Sequence, residues 1–150
     1  MWFMTIIFIM VDFVSKYVVT RYINLNDSII IIKNFLSLTY VRNTGVAFSI
    51  LTDNKYLVMI ISFMIISGII YYIYHNKPKS TLEKVGYSLI LGGAIGNFLD
   101  RLFKGYVIDF IDVKIFSYDY PIFNLADTFI VIGVLLIGIY TWRCKDGNKS

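Results

Sequence analysis

Cysteine and histidine are almost missing from this chain of 150 residues, which has one of each. A single cysteine, Cys144, excludes an intrachain disulfide and reads as a free thiol in a polar tail. The lone histidine, His75, falls in a short connection far from the carboxylates, so neither a metal centre nor a nucleophile–histidine pair is supported, and Ser15, Ser62 and Ser67 lack a matching base. No metal and no cofactor is expected. Charge is scarce as well: 16% of residues are Asp, Glu, Lys or Arg against 57% hydrophobic. That balance excludes an ordinary soluble domain. A net charge of +4 invites a nucleic-acid reading, but the basic residues sit in loops beside apolar runs, where membrane topology explains them better. Internal repeats and low-complexity tracts are absent too.

Long apolar runs fill the chain instead. Tyr56 to Tyr74 carries no charge for 19 positions, enough to cross a hydrocarbon core about 30 Å thick at about 1.5 Å per residue. Three interrupted runs join it: Met1 to about Thr20, holding Asp12 and Lys16; about Lys84 to Phe103, with Asp100-Arg101 near its end; and about Ile122 to Trp142, with Asp127 in its first turns. Four spanning helices in one unit, residues 1–150, leave connections at about Arg21 to Lys55, His75 to Glu83 and Lys104 to Pro121, too small for a soluble catalytic domain. The first run does not read as a cleaved leader, because it lacks a basic start and a small-x-small cleavage site.

Four spans put both termini on one side. The short middle connection and the tail hold six basic residues in little chain: Lys77, Lys79, Lys84, Arg143, Lys145 and Lys149. The other connections spread their basic residues over far more chain and dilute them with Asp27, Asp53, Asp109, Asp112 and Asp119. The positive-inside rule therefore favours cytoplasmic termini. In that topology Asp12, Lys16, Asn97, Asp100, Arg101, Asn124 and Asp127 all fall toward the outer surface, with Asp109 in an outer loop. In the long outer connection, Ser28 to Ile32 and Phe35 to Val41 read as two strands turned at Lys33-Asn34. Gly45 to Leu51 reads as a short interfacial helix.

A carboxylate against hydrocarbon costs roughly 2.5–3.5 kcal/mol on insertion scales, so two of them near one membrane surface suggest chemistry. Asp109 and Asp127, sharing one proton, have the equipment to hydrolyse an amide: the ionised member takes a proton from water while the protonated one donates to the scissile carbonyl. Taken singly, Asp109 also reads as a solvated loop charge, and Asp127 as a helix-start carboxylate favoured by the macrodipole. Asp12 and Lys16, four apart on one helical face, read as a structural ion pair. Asn97 and Arg101 are likewise four apart, and Arg101 suits a carboxylate or a lipid phosphate. Gly92-x-x-x-Gly96 reads as a close helix contact. A proton-coupled membrane carrier, with Lys16 or Arg101 binding an anion, is the main alternative, and a nonenzymatic assembly factor leaves both aspartates unexplained.

Five blocks in order, Asp12-x-x-x-Lys16, Arg42-Asn-Thr-Gly-Val-Ala-Phe-Ser49, Gly93-Ala-Ile-Gly-Asn97-Phe-Leu-Asp100-Arg101, Gly105-Tyr-Val-Ile-Asp109-Phe-Ile-Asp112 and Phe123-Asn124-Leu-Ala-Asp127, closely resemble the bacterial lipoprotein (type II) signal peptidases over almost the whole chain. The resemblance implies a membrane all-α fold: a four-transmembrane-helix bundle with a small extracytoplasmic β-cradle and a short interfacial helix, in the bacterial cytoplasmic membrane. It implies an aspartyl endopeptidase with Asp109 and Asp127 as catalytic dyad, and supporting or substrate-binding roles for Asn43, Gly45, Asn97, Asp100, Arg101 and Asn124, with Asp12 and Lys16 as structural or substrate-side partners. The implied partners are membrane lipids and diacylglyceryl-modified prolipoproteins, cut just before the lipid-modified cysteine. Two departures stand out. Phe13 occupies the place where the family pattern has glutamine, and the basic residues usual before the first helix are missing.

Overall fold

Apolar runs this long have few ways to satisfy their own amides in lipid, and helix is the one that closes every hydrogen bond within the segment. The described residues of the computed structural model accordingly form four long helices: α1 (Trp2–Tyr22), α2 (Lys55–Asn76), α3 (Thr81–Lys104) and α4 (Leu125–Gly147). The structure describes residues 1–45, 55–116 and 118–147. The interfacial helix expected from Gly45 to Leu51 lies, beyond Gly45, outside the described residues.

Among the described residues three helices, α1 over Trp2–Tyr22, α2 over Tyr56–Asn76 and α4 over Leu125–Cys144, are long and apolar enough to cross a membrane. Though as long as the others, α3 is less apolar. The reason is its place: α3 packs against α1, α2 and α4, so much of its surface meets protein rather than lipid. Leu91 is fully buried, and Gly92, Gly93 and Gly96 are buried beside it in the helix. A Cβ on Gly92 would stand 2.6 Å from Cβ of Phe8, and one on Gly96 would stand 2.6 Å from Oδ2 of Asp12. The expected close contact therefore joins α3 to α1, and Gly96 makes room for a carboxylate. Gly105, with φ of 81°, ends α3 in the left-handed region that suits glycine.

The extended segments form one antiparallel sheet in the order β1 (Ser28–Ile32), β2 (Leu36–Asn43), β3 (Val107–Ile115), β4 (Tyr118–Asp119). The first two strands match the expected hairpin, turned at Lys33-Asn34. The third corrects it. Lys104 to Pro121 was expected as a plain connection with Asp109 in a loop; instead Val107–Ile115 is an inner strand, pairing Asn43 with Val107 and Val41 with Asp109. Its first four residues are all buried, because Ile108 and Phe110 pack on Val19 of α1, Ile23 and Tyr40, while Val107 and Asp109 turn the other way, toward Asn97 of α3 and Asp127 of α4. Burial on both faces removes the apolar–polar alternation that advertises a strand. The fourth helix also starts at Leu125 rather than near Ile122, since Phe123 pairs with Ile111 as an extended residue.

Candidate active site

The site begins at the start of α4, whose first N–H groups need acceptors. Asn124 supplies one: its Oδ1 accepts from the backbone N–H of Asp127 at 3.0 Å, and Oδ2 of Asp127 accepts from the N–H of Asn124 at 3.3 Å. This is the reciprocal arrangement of a capping box, with aspartate at the third helical position. The helix-start reading of Asp127 is thus correct as geometry, and its carboxylate still has Oδ1 directed elsewhere. That oxygen accepts from Nδ2 of Asn97, on α3, at 2.8 Å.

Asp109 arrives from β3. It is 2% exposed, which corrects the reading of a solvated loop charge. Its Oδ1 accepts from Nδ2 of Asn124 at 2.6 Å, and its Oδ2 accepts from Nδ2 of Asn43, on β2, at 2.8 Å. Burial pushes the Asp109 carboxyl above the ordinary carboxylate range; the bonds from Asn43 and Asn124 and the charges of Lys16 and Arg101 oppose that without cancelling it. Nδ2 of Asn124 also lies 3.2 Å from Oδ1 of Asn97, so Asp109, Asn124, Asn97 and Asp127 form one connected chain. Both carboxylates line a single cleft of about 260 Å³, together with Asn43, Asn97 and Arg101. Arg101 donates to the carbonyls of Asn97 and Gly45, each at 3.3 Å. Gly45 in turn donates its N–H to Oδ1 of Asn43 at 3.0 Å.

Behind the cleft stands a second set. Lys16, 1% exposed, lies 2.7 Å from Asp12, 2.9 Å from Asp100 and 2.9 Å from Oδ1 of Asn97. Asp100 also pairs with Lys104 at 2.7 Å, and Oδ1 of Asp12 accepts the N–H of Ala126 in the first turn of α4 at 3.1 Å. A buried lysine between two buried carboxylates meets the requirement that buried charges be paired and hydrogen-bonded. None of Asp12, Lys16 or Asp100 lines the cleft. Their ion pairs and hydrogen bonds join α1, α3 and α4 and reach Asn97.

Every residue singled out for the site therefore belongs to one network. What sequence reasoning missed is the apolar wall: Val107, Tyr120, Ile122, Phe123, Ile130 and Val131 line the same cleft. Part of that signal was available, because Ile130 and Val131 follow Asp127 by three and four residues and so share its helical face. The arrangement can hold an extended polar backbone beside two acids while apolar groups exclude water.

The family model described as signal peptidase (SPase) II matches residues 4–143. The lipoprotein signal peptidase of Anoxybacillus flavithermus is 42% identical over 142 residues, 95% of this chain and 84% of that protein, and one from Staphylococcus aureus is 38% identical over 139 residues, 93% of this chain and 85% of that protein. A solved structure described as a bacterial membrane enzyme superposes with a TM-score of 0.89 at 36% identity, covering 99% of this chain and 90% of that one. With a family match across most of its length, and three helices able to span a bilayer, this multi-pass membrane protein belongs to the signal peptidase II family of proteases.

Proposed function

We propose that the protein is an aspartyl endopeptidase that removes the signal peptide from diacylglyceryl-modified prolipoproteins, cutting just before the lipid-modified cysteine, with Asp109 and Asp127 as its catalytic dyad. The observation that carries this reading is the shared cleft, in which both carboxylates are bridged through Asn97 and Asn124. Relatives named lipoprotein signal peptidase support the substrate class.

In the proposed reaction the ionised aspartate takes a proton from water as the hydroxyl adds to the scissile carbonyl carbon. The protonated aspartate gives its proton to the carbonyl oxygen. Collapse of the resulting diol returns a proton to the leaving amide nitrogen and frees the new carboxyl group. Asn43 and Asn124 hold Asp109, and Asn97 and the Asn124 amide hold Asp127, so neither acid must reorganise during the step. In this reading α3 also crosses the bilayer, the termini are cytoplasmic, and the cleft lies near the outer surface. Two acyl chains lodged in the outer leaflet would then set the depth of the scissile bond, turning binding into positioning.

The test compares kcat/KM for a precursor with and without its diacylglyceryl group, with identical sequence around the cysteine. Burying each acyl methylene is worth about 0.8 kcal/mol, so capture of only a few predicts at least a hundredfold preference for the lipid-modified form. Equal values would replace this reading with a general membrane peptidase.

A further inference from the structure

The sheet has a second face, and it carries the opposite charge. Residues alternate across a strand. While Asn43, Val107 and Asp109 line the carboxylate cleft, their neighbours Arg42, Tyr106 and Ile108 line a separate cleft of about 560 Å³. The helix α1 walls its other side with Phe13, Tyr17 and Thr20, a stripe at helical spacing. Two cations border the space, and they differ. Lys104 is paired with Asp100 at 2.7 Å. Arg42 donates from Nε to the hydroxyl of Tyr40 at 3.1 Å, and its guanidinium stands 4.7 Å from the centre of the Tyr106 ring. Among the described residues Arg42 forms no ion pair with a carboxylate. Two phenols thus orient a guanidinium that no carboxylate among the described residues pairs.

Location selects the ligand. Both α1 and α3 end beside this cleft, at Tyr22 and Lys104, so it lies where apolar helix gives way to polar chain, the level of lipid headgroups and of interfacial tyrosines. Phe13 and Tyr17 are 56% and 61% exposed, and the same side of α1 stays exposed and apolar through Met10, Ile6 and Phe3. That track leads from the guanidinium toward the bilayer interior. A soluble phosphate has no use for it.

We propose that this cleft binds an anionic phospholipid, with its phosphodiester on Arg42 beside Lys104 and an acyl chain along the Phe13 and Tyr17 stripe. The site is separate from the carboxylate cleft: β2, β3 and α3 contribute to both, but no lining residue is shared. The probe is phosphatidylglycerol, offered to the purified full-length protein in equimolar mixture with phosphatidylcholine of identical acyl chains, with bound lipid read by native mass spectrometry. Enrichment of phosphatidylglycerol of roughly fivefold is expected for one guanidinium at a lipid surface. Arg42→Gln abolishes the enrichment and Arg42→Lys retains part of it. Excess inorganic phosphate leaves the bound lipid in place. Equal retention of the two lipids by the parent protein, unchanged enrichment in Arg42→Gln, or displacement of the lipid by inorganic phosphate would each overturn the proposal. The competition arms use the parent protein alone, so they stand even if Arg42→Gln folds poorly.

Discussion

Asn124 holds Asp109 by a hydrogen bond of 2.6 Å from Nδ2 to Oδ1, and with its own Oδ1 it caps the helix that carries Asp127. One buried side chain therefore sets the position of both acids. The two duties can be separated by substitution. Asn124→Ala loses the cap, which costs about 1 kcal/mol, and loses the donor to Asp109. Asn124→Ser keeps a capping oxygen but has no amide to reach the carboxylate. We expect the serine variant to recover most of the thermal stability lost by the alanine variant while both remain poor in kcat. Recovery of turnover together with stability would mean that the asparagine serves only the helix.

Lys16 is the second support, and its removal exposes what it neutralises. Lys16→Met leaves Asp12 and Asp100 buried without it, and breaking a buried pair from one side costs about 3–5 kcal/mol. Thermal unfolding in detergent should show that loss, and Lys16→Met combined with Asp12→Asn should regain part of it. A single variant as stable as the parent would remove the electrostatic account of this cluster.

The pH dependence follows from Asp109, whose carboxyl is held above the ordinary range by burial, against the pull of Asn43 and Asn124. The folded state thus binds this proton more tightly than the unfolded chain. Its contribution to stability is full below the unfolded value of about 3.9 and is lost as pH rises through the folded value. For activity, a dyad that must keep one proton loses rate on the same side. Asn43→Ala removes a donor that favours the ionised form, so the basic limb of kcat/KM should move to higher pH. A limb that stays in place or moves toward acid would contradict this role for Asn43.

Orientation is checked by labelling intact cells with an impermeant thiol reagent after Cys144→Ser clears the background. Asn76→Cys should be shielded and Lys33→Cys should react, because the basic residues concentrate beside Asn76 and in the tail. The reverse pattern would put the carboxylates on the cytoplasmic side.

Much of this architecture is legible in the sequence because membrane helices announce themselves by length and apolarity, and because intramembrane charges are rare enough to count. The Asp12 and Lys16 pair follows from helical spacing alone. Other features leave weaker marks. The strand carrying Asp109 is buried on both faces in its first half and reads as a connection. Interior helix α3 trades apolar surface for glycine and polar contacts, which lowers the very signal used to find spans. Tyr120 and Phe123 wall the cleft only because the chain folds back against Ile111 before α4 begins, a long-range pairing that no local pattern reports. Arg42 and Asn43 are adjacent in sequence yet serve opposite faces of the sheet.

The most direct measurement of the central claim is turnover of a lipid-modified precursor by Asp109→Asn, by Asp127→Asn and by the double variant, each first shown to be folded in detergent. An amide keeps the size of the carboxyl group but cannot trade the shared proton, and loss of acid–base catalysis typically costs about 10²–10⁴-fold or more. Groups acting as one unit are not additive, so the double variant should be little worse than either single one. Near-normal cleavage by either single variant, or independent multiplicative losses in the double, would contradict a dyad formed by Asp109 and Asp127.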